Sequence, residues 1–135
     1  MTIEEAIFKH LSTYAGLTAL VGKNIVPGDT PQSMANQAGV AYFLISDPHI
    51  HKSGGDLDVY QPRYQFSCFG TSYSNACAVA AQVKAALQDY SGTMGGTGGV
   101  VVQHSFYEDA NDLFDTVSGN MRRSGRALDF VIWHE

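Results

Sequence analysis

The 135-residue chain is 44% hydrophobic and 16% charged, a balance typical of a folded globular domain and not of a disordered segment. The formal net charge is −5, and apart from one local group, Arg122, Arg123 and Arg126, the eight basic residues are spread along the chain, so they do not supply the clustered Lys and Arg on which tight DNA binding depends. Cys68 and Cys77 do not make a disulfide framework, and no apolar run reaches membrane-spanning length. The N-terminus, MTIEEAIFKH, is acidic where a signal peptide is basic, so we expect one domain, residues 1–135, made and kept in a cytoplasm.

The first predicted element is an amphipathic helix at the N-terminus. Thr2 is a suitable N-cap, and Glu5, three residues later, completes a capping box. Gly16 ends this helix, LTALVG follows as one short apolar turn, and residues 24–39 form a loop rich in Pro, Gly, Asn and Asp. The apolar face of the helix consists, at helical spacing, of Ile3, Ile7, Leu11 and Tyr14.

Two strands come next, joined by a long polar hairpin loop over Pro48–Asp58. The first, Val40–Ser46, is apolar on both faces, which is typical of an interior strand. The second, from about Val59 to Phe69, alternates between apolar and polar residues. One of its faces carries Tyr60, Tyr64, Phe66 and Cys68, and the other carries Gln61, Arg63, Gln65 and Ser67.

A second helix is predicted over Tyr73–Tyr90, with Ser72 as its N-cap and an alanine-rich inner stripe. The glycine-rich run SGTMGGTGGV, Ser91–Val100, leads into the strand VVVQHSFY. The segment EDANDLFD is interpreted as a solvated acidic turn, and RALDFVIWHE as the last strand. That strand places Leu128, Phe130 and Ile132 on one face and Asp129, Val131 and Trp133 on the other.

The order helix, strand, strand, helix, strand, strand predicts an α+β fold: an antiparallel four-stranded sheet with two helices on one face. The second face of this sheet would bring Arg63 together with Asp129 and Trp133. A tryptophan on a mixed polar face is typical of protein contacts, although burial under the 24–39 loop explains it equally well.

No catalytic constellation is visible. The glycine run follows a helix and opens a strand, the reverse of a phosphate-binding loop, so we interpret it as a turn. His49 and His51 alternate in an extended segment and could share a metal ion with Asp47, Asp56 or Asp58, but histidines in polar hairpin loops are usually only exposed. We predict no catalytic, cofactor-binding or metal-binding residue.

Taken in order, several segments resemble the tail-completion and tail-terminator family of long-tailed phages and of phage-derived particles such as gene transfer agents. The resemblance covers nearly the whole chain. It is carried by AGLTALVGKNIVPGDTPQ, by VAYFLIS, by YQFSCFGTSYSNACAVAAQVKAALQ, by SGTMGGTGGVVVQHSFYEDANDLFD and by the terminal ALDFVIWHE.

The resemblance implies a non-enzymatic hexameric ring at the head-proximal end of a tail, assembled in the bacterial host cytoplasm. Such a ring stops tail-tube polymerisation and offers a docking surface to the head connector, while DNA passes through its lumen without specific binding. Six copies at −5 would carry 6 × −5 = −30, which disfavours DNA adhesion. We expect the interface residues to include His49, His51, Lys52, Arg63, Asp129 and Trp133.

Two other hypotheses stay open. The chain could be another neck component, such as an adaptor between portal and tail. It could also be a small metal-dependent binding module or enzyme that uses the His49 and His51 loop, in which case a ligand would shift its stability.

Overall fold

The computed structural model describes residues 2–28, 38–47, 51–52, 55–56, 60–117 and 121–135. In these ranges the helices are α1 (Ile3–Ser12), α2 (Ala15–Val21) and α3 (Tyr73–Leu87). The strands are β1 (Ile25–Pro27), β2 (Gly39–Ser46), β3 (His51–Lys52), β4 (Gly55–Asp56), β5 (Arg63–Gly70), β6 (Gly92–Met94), β7 (Val100–Val117) and β8 (Met121–His134).

The main sheet has six strands in the order β1-β2-β5-β8-β7-β6, and β3 pairs with β4 in a separate two-stranded ribbon. The prediction of a four-stranded antiparallel sheet is therefore wrong. β1 runs parallel to β2, whereas the other pairs of the main sheet are antiparallel. The additional strands β1 and β6 are three residues each, too short to show a period, and lie within the predicted loop and the glycine run.

The helices number three within the described ranges, so the prediction of two is also wrong. α2 is formed by AGLTALV, whereas Gly16 was predicted to end the first helix and LTALVG to form a short turn. Leu17 and Val21, one turn apart, are both buried. Tertiary burial explains how seven residues with a glycine hold a helix that would not form alone. The capping box of Thr2 and Glu5 on α1 and the Ser72 cap on α3 are confirmed.

The acidic segment EDANDLFD is part of the 18-residue strand β7, not a turn. It pairs with β8 so that Asp112 lies opposite Arg126 and Asp115 opposite Arg123. Opposite charges on facing strand positions stabilise a sheet pair, and this pairing explains why an acidic run can be a strand. β5 pairs with β8 only as far as Ser124. The pairs of residues 115–117 with 121–123, at the end of the β7–β8 hairpin, therefore extend beyond β5.

The core lies between the three helices and one face of the main sheet, which we call the inner face. Phe66 is central there: its ring lies 5.7 Å from that of Tyr42 and 5.6 Å, edge-on, from that of Phe130. Two tyrosine hydroxyls fasten α1 to the sheet. Tyr42 donates to the Glu4 carbonyl and Tyr64 to Glu4 Oε1, both at 2.9 Å. Burial, and secondly the charge of Glu4, raises the pKa of Tyr42 to about 12.

Candidate protein-contact face

The face of the main sheet that points away from the helices, here called the outer face, is formed by alternate residues of β2, β5, β8 and β7. The strand register places Gln65 between Phe43 and Asp129 in one row across the sheet. The next row joins Arg63, Val131 and Phe106, and the row after it joins Trp133 and His104. Polar and apolar side chains are therefore interspersed on the exposed part of this face.

An ion pair crosses the outer face between β5 and β8. Arg63 Nη2 donates to Asp129 Oδ2 at 3.0 Å, and the two side chains are 37% and 15% exposed. The Asp129 carboxylate is mostly covered, so removing the arginine would leave a partly buried charge without its partner. That costs more than losing a partner at the protein surface. The pair fixes these two side chains on a face that carries both polar and apolar groups.

Next to the ion pair is an aromatic cluster formed by His104, Phe106 and Trp133. The Phe106 ring lies 4.4 Å from the His104 ring and 5.9 Å from the Trp133 ring, which it meets edge-on. His104 Nε2 lies 3.0 Å from Asp89 Oδ1. Phe106 is 40% exposed and Trp133 36%. Amphipathic aromatic side chains presented in this way are enriched at protein interfaces.

Sequence alternation missed Phe106 because β7 is irregular. A register shift between Val102 and His104 moves the following residues to the opposite face. Val100 and Val102 are buried on the inner face, while Phe106 is exposed on the outer one. His104 therefore lies on the outer face, although it follows these valines at even spacing in the sequence. Nothing in the sequence marks the bulge.

Another part of the outer face is covered. Ala41, Ser67 and Ala127, which lie in one row, are at most 7% exposed, and so is Phe69. The Phe69 ring lies across Gly125, its partner on β8. Among the described residues of β2, β5 and β8, this row therefore offers little contact area, whereas the ion pair and the aromatic cluster lie on an exposed part of the face.

The residues predicted as an interface fall into two groups. The structure brings Arg63, Asp129 and Trp133 to one face, as the alternation indicated, although their role in an interface stays a prediction. His51 and Lys52 form β3, and His51 pairs with Asp56 in backbone register. His49 lies outside the described residues, so the hypothesis of a metal site at this loop is not tested.

A second polar cluster lies on the inner side, where α3 begins. Tyr73 donates from its hydroxyl to Asp112 Oδ2 at 2.8 Å, and Arg126 donates from Nε to Asp112 Oδ1 at 3.0 Å and from Nη2 to the Tyr73 oxygen at 3.1 Å. The hydrogen bond from Tyr73, together with Arg126, holds the pKa of Asp112 below its usual value. The cluster connects α3 to both strands of the long hairpin, which is a structural role.

The glycine run forms β6 and the turn that leads from it into β7. Its glycines at 92, 95, 96 and 98 have positive φ, a conformation that other residues adopt only under strain. The interpretation of the run as a turn between a helix and a strand is confirmed, with β6 as an addition.

Across the described ranges, no three His, Cys, Asp or Glu residues are grouped so that they could hold a metal ion. The helices in these ranges are also too short or too polar to cross a membrane.

Comparison with known proteins identifies a similar fold. The chain aligns with a chain of the solved virion of a native gene transfer agent (GTA) particle with a TM-score of 0.66 and 18% sequence identity. The alignment covers 98% of this chain and 95% of the other. No protein-family model matches the sequence, and no curated protein matches it. At this identity the similarity establishes a shared fold over the whole length of both chains.

Proposed function

We propose that this chain is a structural, non-enzymatic protein of a phage-like particle. The observation that carries the proposal is the similarity to a GTA virion chain, which covers 98% of this chain and 95% of the other. The tail-terminator resemblance of the sequence points to the same class of particle. The shifted pKa values of the described residues also belong to groups with structural partners, such as Tyr42 under α1 and Asp112 beside Arg126.

Within that class, the function we propose is termination of a tail. The protein forms a ring, six-fold by resemblance, at the head-proximal end of the tail and stops polymerisation of the tail tube. The ring then presents a docking surface to the head connector. Assembly takes place in the cytoplasm of the bacterial host, and the protein ends in the neck of the virion. DNA passes through the ring without specific binding, which agrees with the net charge of −5 per chain.

The exposed part of the outer face is the surface we assign to contact with another particle protein, the tail tube or the head connector. Its aromatic residues Trp133 and Phe106 are partly exposed, and in the ion pair beside them Arg63 is the more exposed partner. The residues that contribute most to the binding energy of protein interfaces are enriched in Trp, Tyr and Arg. His49, His51 and Lys52 are proposed as a second contact segment.

The test is electron microscopy of particles from a strain that lacks the gene. Tails of irregular, extended length beside unattached heads would support termination. Normal-length free tails beside full heads would instead assign the protein to the joining step, as an adaptor. Intact infectious particles would exclude a structural role.

The contact face is tested by complementing the same strain with Trp133→Ala. The matched control is Leu20→Ala on α2, because Leu20 is also 36% exposed but lies in the helix layer. We expect the Trp133 variant to fold and to yield free heads and tails, and the Leu20 variant to restore particles. Equal restoration by both variants would exclude the outer face as a contact.

A further inference from the structure

An apolar groove lies beside the N-terminal half of α1, on the opposite side of the sheet from the contact face described above. It has a volume of about 390 Å³ and is lined by Glu4, Glu5, Phe8, Pro27 and Tyr42. A second depression of about 280 Å³ shares Glu4 with it and continues along β2 past Leu44, Asp47 and Tyr60. Phe8, Leu44 and Tyr60 are each more than 40% exposed.

The groove exists because the side chains that β2 points to the inner face are buried only as far as Tyr42. Leu44 lies on the same face, in register with the buried Tyr64, yet it is exposed. β1 also pairs with β2 only up to Tyr42, so within the described ranges residues 43–46 pair on one side alone, with β5. Apolar side chains beside an open strand edge offer both contact area and backbone hydrogen bonds to an added segment.

The end of the β7–β8 hairpin has the complementary properties. Residues 115–117 pair with 121–123 beyond the last β5 pair, Gly70 with Ser124, as a ribbon of two strands. A two-stranded ribbon alone is only marginally stable in water. This end carries two apolar residues, Val117 and Met121, two arginines, Arg122 and Arg123, and one acid, Asp115.

The hairpin cannot reach the groove of its own chain. Met121 pairs near the tip, and Phe130, nine residues along the same strand, lies beside Tyr64 at the level of the groove. At roughly 3.4 Å per residue the two lie about 30 Å apart along a continuous strand. Any contact between them is therefore between two molecules. The charges agree with such a contact, because Glu4, Glu5 and Asp47 border the groove, whereas the hairpin end carries two arginines, Arg122 and Arg123, and one acid, Asp115, a formal charge of 2 − 1 = +1.

We propose that the groove beside α1 of one copy receives the end of the β7–β8 hairpin of the next copy. The two surfaces differ, so the contact is head-to-tail, and repetition of such a contact generates a ring when the rotation closes. The inference rests on the proposed function only in that both require self-assembly. The groove contact joins copies to one another, and the outer face stays free for a different particle protein.

Cross-linking between two single-cysteine proteins tests this contact. Leu44→Cys and Arg122→Cys are prepared separately in a Cys77→Ser background, where Cys68 is buried and stays unreactive. They are mixed and oxidised, and Leu20→Cys replaces Leu44→Cys in the control. We expect the L44C–R122C product to exceed the control by roughly tenfold or more, because contact raises the effective thiol concentration towards the mM range.

A charge variant checks the register of the contact. With Arg123→Cys as the hairpin thiol, adding Arg122→Glu should lower the yield with Leu44→Cys by roughly tenfold, since it places like charges at the groove. Lys23→Glu makes the same charge change on an exposed residue outside both surfaces and should leave the yield unchanged. Equal loss from both substitutions would mean that only net charge matters, and would overturn the assignment.

The same thiol pairs are examined in purified particles. Absence of the L44C–R122C product from both the free protein and particles that contain the protein overturns the inference, as does a dominant product between two L44C chains. Particles that lack the protein altogether contradict the proposed function instead. In that case the L44C–R122C product in the free protein would still establish the hairpin contact.

Discussion

Gly125 on β8 is required by the aromatic ring that lies against it. A Cβ at this position would lie 2.8 Å and 2.9 Å from Phe69 Cδ1 and Cε1 and 3.1 Å from the Cys68 carbonyl oxygen. Phe69 is only 6% exposed, so its ring cannot swing into solvent. Gly125→Ala must therefore displace packed groups by several tenths of an ångström, and overpacking of this kind destabilises a protein by about 1–3 kcal/mol.

The matched control is Gly16→Ala on α2. Its new Cβ would meet the side-chain amide of Gln82, the end of a flexible chain that can move aside. Alanine also stabilises a helix by up to about 1 kcal/mol relative to glycine. In urea unfolding at one protein concentration, we expect Gly125→Ala to lower the midpoint by roughly 1 M and Gly16→Ala to leave or raise it.

A double-mutant cycle with Phe69→Leu completes this test. If the ring causes the cost, the effect of Gly125→Ala must shrink when the ring is removed, giving a coupling free energy of about 1 kcal/mol. Strictly additive effects, or a Gly125→Ala midpoint equal to that of the wild-type protein, would refute the reasoning.

Three further predictions concern polar groups. The pKa of Tyr42 is raised to about 12, so the unfolded chain loses this proton first, near pH 10, and the free energy of unfolding should fall between pH 10 and 12. Tyr42→Phe should make that fall smaller when the free energy of unfolding is measured in urea at each pH. A fall of unchanged size would contradict the assignment. Ser105 is fully buried and its hydroxyl has no hydrogen-bond partner in the described part of the chain. Ser105→Ala should therefore raise the free energy of unfolding by up to about 1 kcal/mol, and a lower melting temperature of the variant would argue against an unpaired hydroxyl. Tyr73→Phe should raise the pKa of Asp112 towards its usual value, measured by NMR titration of the carboxyl group, and no change would mean that Tyr73 does not hold it.

The sequence predicted the elements whose signal is local. The capping box of Thr2 and Glu5 and the buried stripe of α3 are set by neighbours in the chain, and both are confirmed. Arg63, Asp129 and Trp133 could be placed on one face because β5 and β8 alternate regularly where they pair.

The elements that the sequence missed depend on distant partners. β1 is a strand because Ile25 lies against Val40, and its three residues carry no period of their own. EDANDLFD is extended because β8 supplies Arg126 and Arg123 opposite its acids, a pairing that depends on the hairpin register. The exposed position of Phe106 follows from a bulge, which composition does not reveal.

The position of β8 has a consequence for when the protein can fold. It is the last strand in the sequence, yet it lies between β5 and β7 near the middle of the sheet. While a ribosome is still synthesising this region, β5 has no neighbour on that side and β7 has no hairpin partner. β8 pairs with β7 as a local hairpin, but its pairing with β5 joins residues far apart in the chain, and such contacts form slowly. The nascent chain therefore cannot present the finished contact face or the paired hairpin, and self-association has to wait until residues 121–134 have been released.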